Sequence, residues 1–201
     1  MRRRGASGYL LNRAQILGVR KRKMKVALTG HTSGLGKHIF QRFSPGCVGF
    51  SRGNGFDIDT SAARKRIVDT CADADVFINN AYSGFAQVDL LYEIYDKWKH
   101  SNKLIINIGS ISSDGISADS HPYSVHKSAL DKACEQLSRL GDACRICNVK
   151  PGWIDTPRVA SITDQLKMSP DAITDLIGYI VNLPNNLIIP YVTMVPWTGH
   201  T

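Results

Sequence analysis

The sequence predicts an α/β protein, a single domain built on a doubly wound parallel sheet. Three observations carry that expectation. Short apolar runs alternate with segments of helical periodicity along most of the chain. The run Leu104-Ile105-Ile106-Asn107-Ile108 is almost continuously apolar, as a strand covered on both faces should be. The first run, Val26-Ala27-Leu28, leads through a glycine-rich turn, Thr29-Gly30-His31-Thr32-Ser33-Gly34-Leu35-Gly36, into a helical segment. A chain of 201 residues is long enough for one domain with a substantial core.

In order, the first helix is expected from about Lys37 to Phe43, where Ser44-Pro45-Gly46 stops it. Cys47 to Phe50 reads as a second strand and Ser51 to Gly55 as a loop. Phe56-Asp57-Ile58 suggests a short strand, and Thr60 or Ser61 can cap a helix to about Ala72. Val76 to Asn79 is a buried strand. From Val88 to about Lys99, Leu91, Ile94, Tyr95 and Trp98 share one helical face. After strand 104–108, a long helix runs from Tyr123 to Leu140 and ends at Gly141. Arg145 to Val149 is a strand, Ser169-Pro170 opens a helix to about Val181, and Leu187 to Val195 supplies the last strand.

The net charge of +8 is unevenly placed. Eight basic residues and no acidic ones precede Met24, so residues 24–201 balance 17 basic against 17 acidic side chains. The charge belongs to a basic N-terminal extension, residues 1–23, expected to be disordered, and not to the folded surface. A nucleic-acid-binding domain is therefore not expected. No apolar run reaches the roughly 20 residues that span a bilayer, so no membrane partner is expected. The expected compartment is cytoplasmic, with organelle import through the basic N-terminus as the lesser alternative. Five cysteines at irregular spacing do not form a disulfide framework. Cys144-x-x-Cys147 has redox-motif spacing, but on a strand those positions point to opposite faces. No metal site is read.

Two features carry chemistry. A helix N-terminus behind a glycine turn offers unpaired N–H groups and a partial positive charge, which suit a phosphate. Tyr123 and Lys127 lie one turn apart on a helix, and an ammonium near a phenol favours its ionised form. Tyr123 is thus a candidate general acid/base for a carbonyl or alcohol oxygen. Ser110 follows strand 104–108 at the carboxyl edge of the sheet, where ligands bind in open α/β folds.

Together these residues resemble the short-chain dehydrogenase/reductase family. Thr-Gly-x-x-x-Gly-x-Gly stands at Thr29 to Gly36, and Asn-Asn-Ala-Gly appears as Asn79-Asn80-Ala81-Tyr82. The serine stands thirteen residues before the tyrosine, Tyr-x-x-x-Lys is Tyr123 to Lys127, and Pro151-Gly152 with Thr156 follows. The resemblance covers about residues 24–199 and implies a Rossmann-type fold. It also implies hydride transfer between a nicotinamide cofactor and a small carbonyl or alcohol substrate. In that scheme Tyr123 exchanges the proton, Ser110 positions the oxygen, and Lys127 lowers the tyrosine pKa and holds the ribose hydroxyls. Gly30, Gly34 and Gly36 admit the pyrophosphate, with Thr32, Ser33 and Leu35 in the same loop. Asn80 and Ala81 line the adenosine and ribose side, Asp57 and Ile58 the adenine. Pro151, Gly152 and Thr156 border the nicotinamide. The second strand is followed by Ser51-Arg52 and no carboxylate, which favours the 2′-phosphate of NADP(H) over NAD(H). His31 and Thr32 are expected to assist.

The sequence also departs from the family. Tyr82 replaces a glycine, and the stretch from Asn80 to Ser110 is short, as if the start of the intervening helix were lost. That helix carries the family's catalytic asparagine and its common dimer interface; here no Asn lies between Tyr82 and Ser101, and Gln87 is the nearest amide. The lid segment, Arg158 to Lys167, is small. These features leave a homo-oligomer open and motivate an alternative: a catalytically weak NADP(H)-binding or regulatory module on the same fold.

Overall fold

The computed structural model describes residues 24–116 and 120–197; the basic extension expected over residues 1–23 lies outside the described residues. The strands are β1 (Val26–Thr29), β2 (Cys47–Phe50), β3 (Val76–Asn79), β4 (Leu104–Ile108), β5 (Arg145–Pro151) and β6 (Tyr191–Met194). The helices are α1 (Gly34–Phe43), α2 (Ser61–Thr70), α3 (Ala86–Trp98), α4 (Pro122–Ser138) and α5 (Pro170–Val181). All strand pairs are parallel, in the order β2-β1-β3-β4-β5-β6.

Alternation along each strand sends side chains to two cores. Ala27, Phe77, Ile105 and Ile146 meet α2, α3 and α4 through Ile67, Leu90, Leu91, Ile94 and Leu130. Leu28, Ile78, Ile106 and Cys147 meet α1 and α5 through Ile39, Ile173 and Ile177. The strands read as continuous apolar runs because both faces are covered. Trp98 closes the first core edge-on to Phe77, with centroids 6.3 Å apart. The chain turns from one side of β1 to the other between β2 and β3, which opens a crevice at the carboxyl ends of β1 and β3.

Several expected elements differ. Phe56-Asp57-Ile58 is not a strand. Only residues 51–60 separate β2 from α2, too few for the dozen-residue crossover that another parallel strand requires. β2 is therefore a sheet edge. α1 begins at Gly34 rather than at Lys37. The last strand covers only Tyr191–Met194, a half-exposed edge paired on one side. α3 is a 13-residue helix that begins at Ala86, two residues before the expected Val88. Ser169 caps α5 as expected, its hydroxyl accepting from Asp171 N, with Pro170 in the first turn. Among the described residues no helix is long and apolar enough to cross a membrane.

Cys144 belongs to the first core and Cys147 to the second, so the sheet separates them. All five cysteines are buried free thiols, and burial raises the pKa of Cys47, Cys71, Cys144 and Cys147 to about 12. Thiol titration should find the native protein almost unreactive at pH 8 and all five thiols reactive in denaturant; rapid native reaction of any one would contradict this packing.

Candidate active site

The glycine turn is clamped from below. Thr29, fully buried at the end of β1, accepts through Oγ1 from the backbone N–H groups of Asn80 and Ala81, each at 3.0 Å. Asn80 Nδ2 returns a bond to Thr29 O at 2.9 Å. These bonds join the ends of β1 and β3 and fix the floor of the crevice. Gly30 takes φ +74° and Gly34 φ +50°, the left-handed region open to glycine. A Cβ on Gly36 would lie 2.0 Å from Gly30 O, so only glycine lets α1 start this close to the turn. Ser33, the N-cap of α1, makes no side-chain cap bond, and the first turn carries no acidic residue. Its N–H groups are thus left to a ligand or solvent.

One layer below the sheet edge runs a polar row. Asn79, Asn107 and Asn148 are register neighbours across β3, β4 and β5, all buried. Asn79 Nδ2 donates to Asn107 Oδ1 at 3.0 Å and to Gln87 O at 2.9 Å. Gln87, 2 % exposed on α3, donates from Nε2 to Asn79 O at 2.8 Å and to Ile108 O at 3.3 Å. Its Oε1 accepts from Lys127 Nζ at 2.8 Å, and Lys127 Nζ also donates to Ile108 O at 2.7 Å. Lys127 is itself 2 % exposed. Burial, aided by the charge of Arg158, lowers its pKa to about 7. Asn148 continues the row to α4, where Asn148 Nδ2 lies 2.7 Å from Asp131 Oδ1. Asp131 pairs with Lys150 at 2.8 Å, and Ser113 Oγ sits 2.5 Å from Asp131 Oδ2 and 2.6 Å from Ser110 O. This network holds the short 3-10 turn Ile111–Ser113 that Ser110 caps.

Above the row lies a cleft of roughly 1310 Å³. Apart from His31, every cofactor-binding and catalytic residue expected from the sequence lines it, from Ser51, Arg52, Asp57 and Ile58, past Gly30, Thr32 to Gly36, Asn80 and Ala81, to Ser110, Tyr123, Lys127, Pro151, Gly152 and Thr156. Ser110 Oγ accepts from Ser112 N at 3.2 Å and Ser112 Oγ at 2.8 Å, which leaves its own proton to donate. The Lys127 ammonium lies 5.5 Å from the Tyr123 ring centroid.

Two expectations need correction. Burial raises the Tyr123 pKa, and it is Ser110 and Arg158, not Lys127, that pull it back. The reason is that Lys127 is buried deeply enough to lose its own proton near neutrality. His31 turns away from the cleft; it packs on Phe40 at 5.1 Å and fills the space over Gly49. Ser51 lines the cleft and donates through Oγ to Asn54 Oδ1 at 3.2 Å, and Arg52 stands exposed beside it.

Three residues to which the sequence assigned no site role complete the site. Gln87 occupies a buried position between α3 and Lys127; a lone amide one turn before Leu90 and Leu91 on an apolar stripe was the available signal. Tyr82 packs edge-on to Tyr123 at 4.8 Å, and its hydroxyl meets His126 Nδ1 at 2.9 Å. Arg158 lies 5.0 Å over the Tyr82 ring and 5.8 Å over the Tyr123 ring. Nothing in the sequence pattern marked it beyond its place two residues after Thr156.

The architecture matches solved structures across nearly its whole length. Serine dehydrogenase from Escherichia coli superposes with TM-score 0.69 at 18% identity, covering 89% of this chain and all of the other. The chain has the short-chain dehydrogenase fold. An alcohol dehydrogenase from Thermococcus sibiricus, complexed with 5-hydroxy-NADP, gives TM-score 0.71 at 17% identity over 85% of this chain and 96% of that one. A short chain dehydrogenase from Burkholderia cenocepacia, in complex with NADP, gives 0.71 at 18% identity over 86% of this chain and 88% of that one. No family model and no curated relative matches the sequence.

Two substitutions test the layer beneath the cleft. Thr29→Val strands the Ala81 N–H and leaves the Asn80 N–H only Ile78 O, and should cost about 1–3 kcal/mol in denaturant unfolding. Gln87→Leu, which removes the Lys127 acceptor and two donors, should cost a similar amount, whereas Gln87→Glu should recover Lys127's acceptor and restore its charge above pH 7. A near-neutral Gln87→Leu would place Lys127 elsewhere.

Proposed function

We propose that the protein is an NADP(H)-dependent oxidoreductase that interconverts a small carbonyl compound and its alcohol. The observation that carries this reading is the convergence on one cleft of Ser110, Tyr123 and Lys127 with an uncapped helix start and Arg52. The residues suit a dinucleotide. At Gly30 and Gly36 the cradle leaves no room for a Cβ, which lets the backbone turn tightly as a close approach to a pyrophosphate requires. Arg52 has no carboxylate within 4 Å among the described residues, so its guanidinium is available to a 2′-phosphate. Structures of this fold with NADP or NADPH bound support the same choice.

The chemistry such a cofactor supplies when bound is a hydride given to, or taken from, carbon. The protein's own part is the proton and the orientation. Tyr123 would donate the proton to the substrate oxygen in reduction and recover it in oxidation. Ser110, whose lone pairs are already engaged, would donate to the same oxygen. Lys127 has spent two of its three N–H donors on Gln87 and Ile108, and the third is the one left for a ribose hydroxyl. Pro151, Gly152 and Thr156 would border the nicotinamide. The alternative, binding without turnover, has one observation in its favour: the bulk of Tyr82 against the Tyr123 ring.

NADPH should raise the thermal midpoint more than NADH at equal concentration, and Arg52→Gln should erase the difference. Over a panel of small carbonyl compounds, Tyr123→Phe should lower NADPH-dependent turnover by about a hundredfold or more. Selective stabilisation with no Tyr123-dependent turnover would favour the binding module; no stabilisation by either nucleotide would overturn both readings.

A further inference from the structure

The charge around the cleft is arranged in two separate places. On the β2 side stand Arg52 and Asp57, the one carboxylate that lines the cleft among the described residues. On the Tyr123 side stands Arg158, with no carboxylate among the described lining residues. The cleft lining holds both apolar side chains, Ile111 and Trp153, and hydroxyls, Ser110, Ser112 and Ser124. Arg158 has no acidic partner within 4 Å among the described residues, unlike Arg64, which pairs with Glu93 and Asp89. The other lining cation there, Lys127, is buried and committed to Gln87 and Ile108. Arg158 is therefore the available cation on this side.

Its position is defined. The guanidinium rests 5.0 Å over the Tyr82 ring and 5.8 Å over the Tyr123 ring. Aromatic faces hold a planar cation without consuming its N–H donors, which remain in the plane for a bidentate acceptor. Tyr82 thus has a use that the glycine it replaces could not serve: it is half of the seat for Arg158.

We propose that the substrate is a small oxo- or hydroxy-compound bearing a carboxylate, and that Arg158 receives that carboxylate. This rests on the oxidoreductase reading and adds the substrate class. A guanidinium 5.8 Å over the Tyr123 ring can reach a carboxylate on the same small molecule whose oxygen meets Tyr123. A neutral compound of the same shape offers the exposed guanidinium no charge-assisted pair, so the anion is preferred. The other anion that could reach Arg158 is the cofactor's pyrophosphate, and the test separates the two.

The full-length protein is titrated with malonate and with uncharged malonamide, with and without saturating NADPH, by calorimetry. Malonate should bind at least about tenfold tighter than malonamide. Arg158→Gln should abolish that preference, Arg158→Lys should keep part of it, and NADPH affinity should change less than about threefold in both. Equal binding of malonate and malonamide to the wild type, or an unchanged preference in Arg158→Gln, would overturn the proposal. So would a loss of NADPH affinity in Arg158→Gln as large as the loss for malonate, which would assign Arg158 to the phosphates. If NADPH fails to bind at all, the oxidoreductase reading falls, while the malonate comparison without nucleotide still decides whether Arg158 holds a carboxylate.

Discussion

A lysine ammonium held in the interior of the sheet is the constraint on which the rest of the site depends. Taking an ammonium out of water costs several kcal/mol unless its donors are paired. Lys127 meets that condition through Gln87 Oε1 and Ile108 O, acceptors from α3 and the end of β4. Gln87 is in turn fixed by Asn79 O and Ile108 O, and Asn79 by Asn107. The chain of bonds therefore ties the ends of β3 and β4 and two helices into one unit. Because Tyr123 stands one turn before Lys127 on α4, whatever fixes the lysine also fixes the phenol.

The same row explains why the strands are polar at their carboxyl ends. Thr29 ends β1, Asn79 ends β3, Asn107 lies one residue from the end of β4, and Asn148 sits within β5. Each interrupts an apolar run, and each bonds a neighbouring strand, helix or loop instead of solvent. Thr29 secures the glycine turn, Asn79 secures Gln87, and Asn148 with Asp131 and Lys150 secures the turn that Ser110 caps. The cleft above inherits its rigidity from this layer, and its two exposed arginines, Arg52 and Arg158, stand at separate places along it.

Much of this was legible in the residues. β3 and β4 match their apolar runs to the residue, because a strand buried on both faces has no alternating pattern to blur its limits. The motif residues gather in one cleft because each stands at a strand end or on a helix facing it. What was not legible depends on distances between segments. Whether Phe56 to Ile58 forms a strand is decided by a linker too short to cross over. His31 lies in the motif, yet its ring is claimed by Phe40 and the bare backbone of Gly49. The Tyr-x-x-x-Lys spacing fixes neighbours on a helix face but not how deeply the lysine is buried, and at this depth Lys127 is not among the groups that lower the Tyr123 pKa. Gln87 and Arg158 act through partners 40 and 35 residues away, beyond the reach of any local pattern.

The central claim is that Lys127 is a buried amine whose charge is poised near neutrality by its depth in the fold. Its side-chain nitrogen can be followed directly by NMR in protein labelled at lysine Nζ, with Lys127→Met to assign the signal. The structure predicts a titration midpoint near 7 for that one resonance, well below an ordinary lysine. A Lys127 signal that stays protonated to above pH 10, like a surface lysine, would contradict the account.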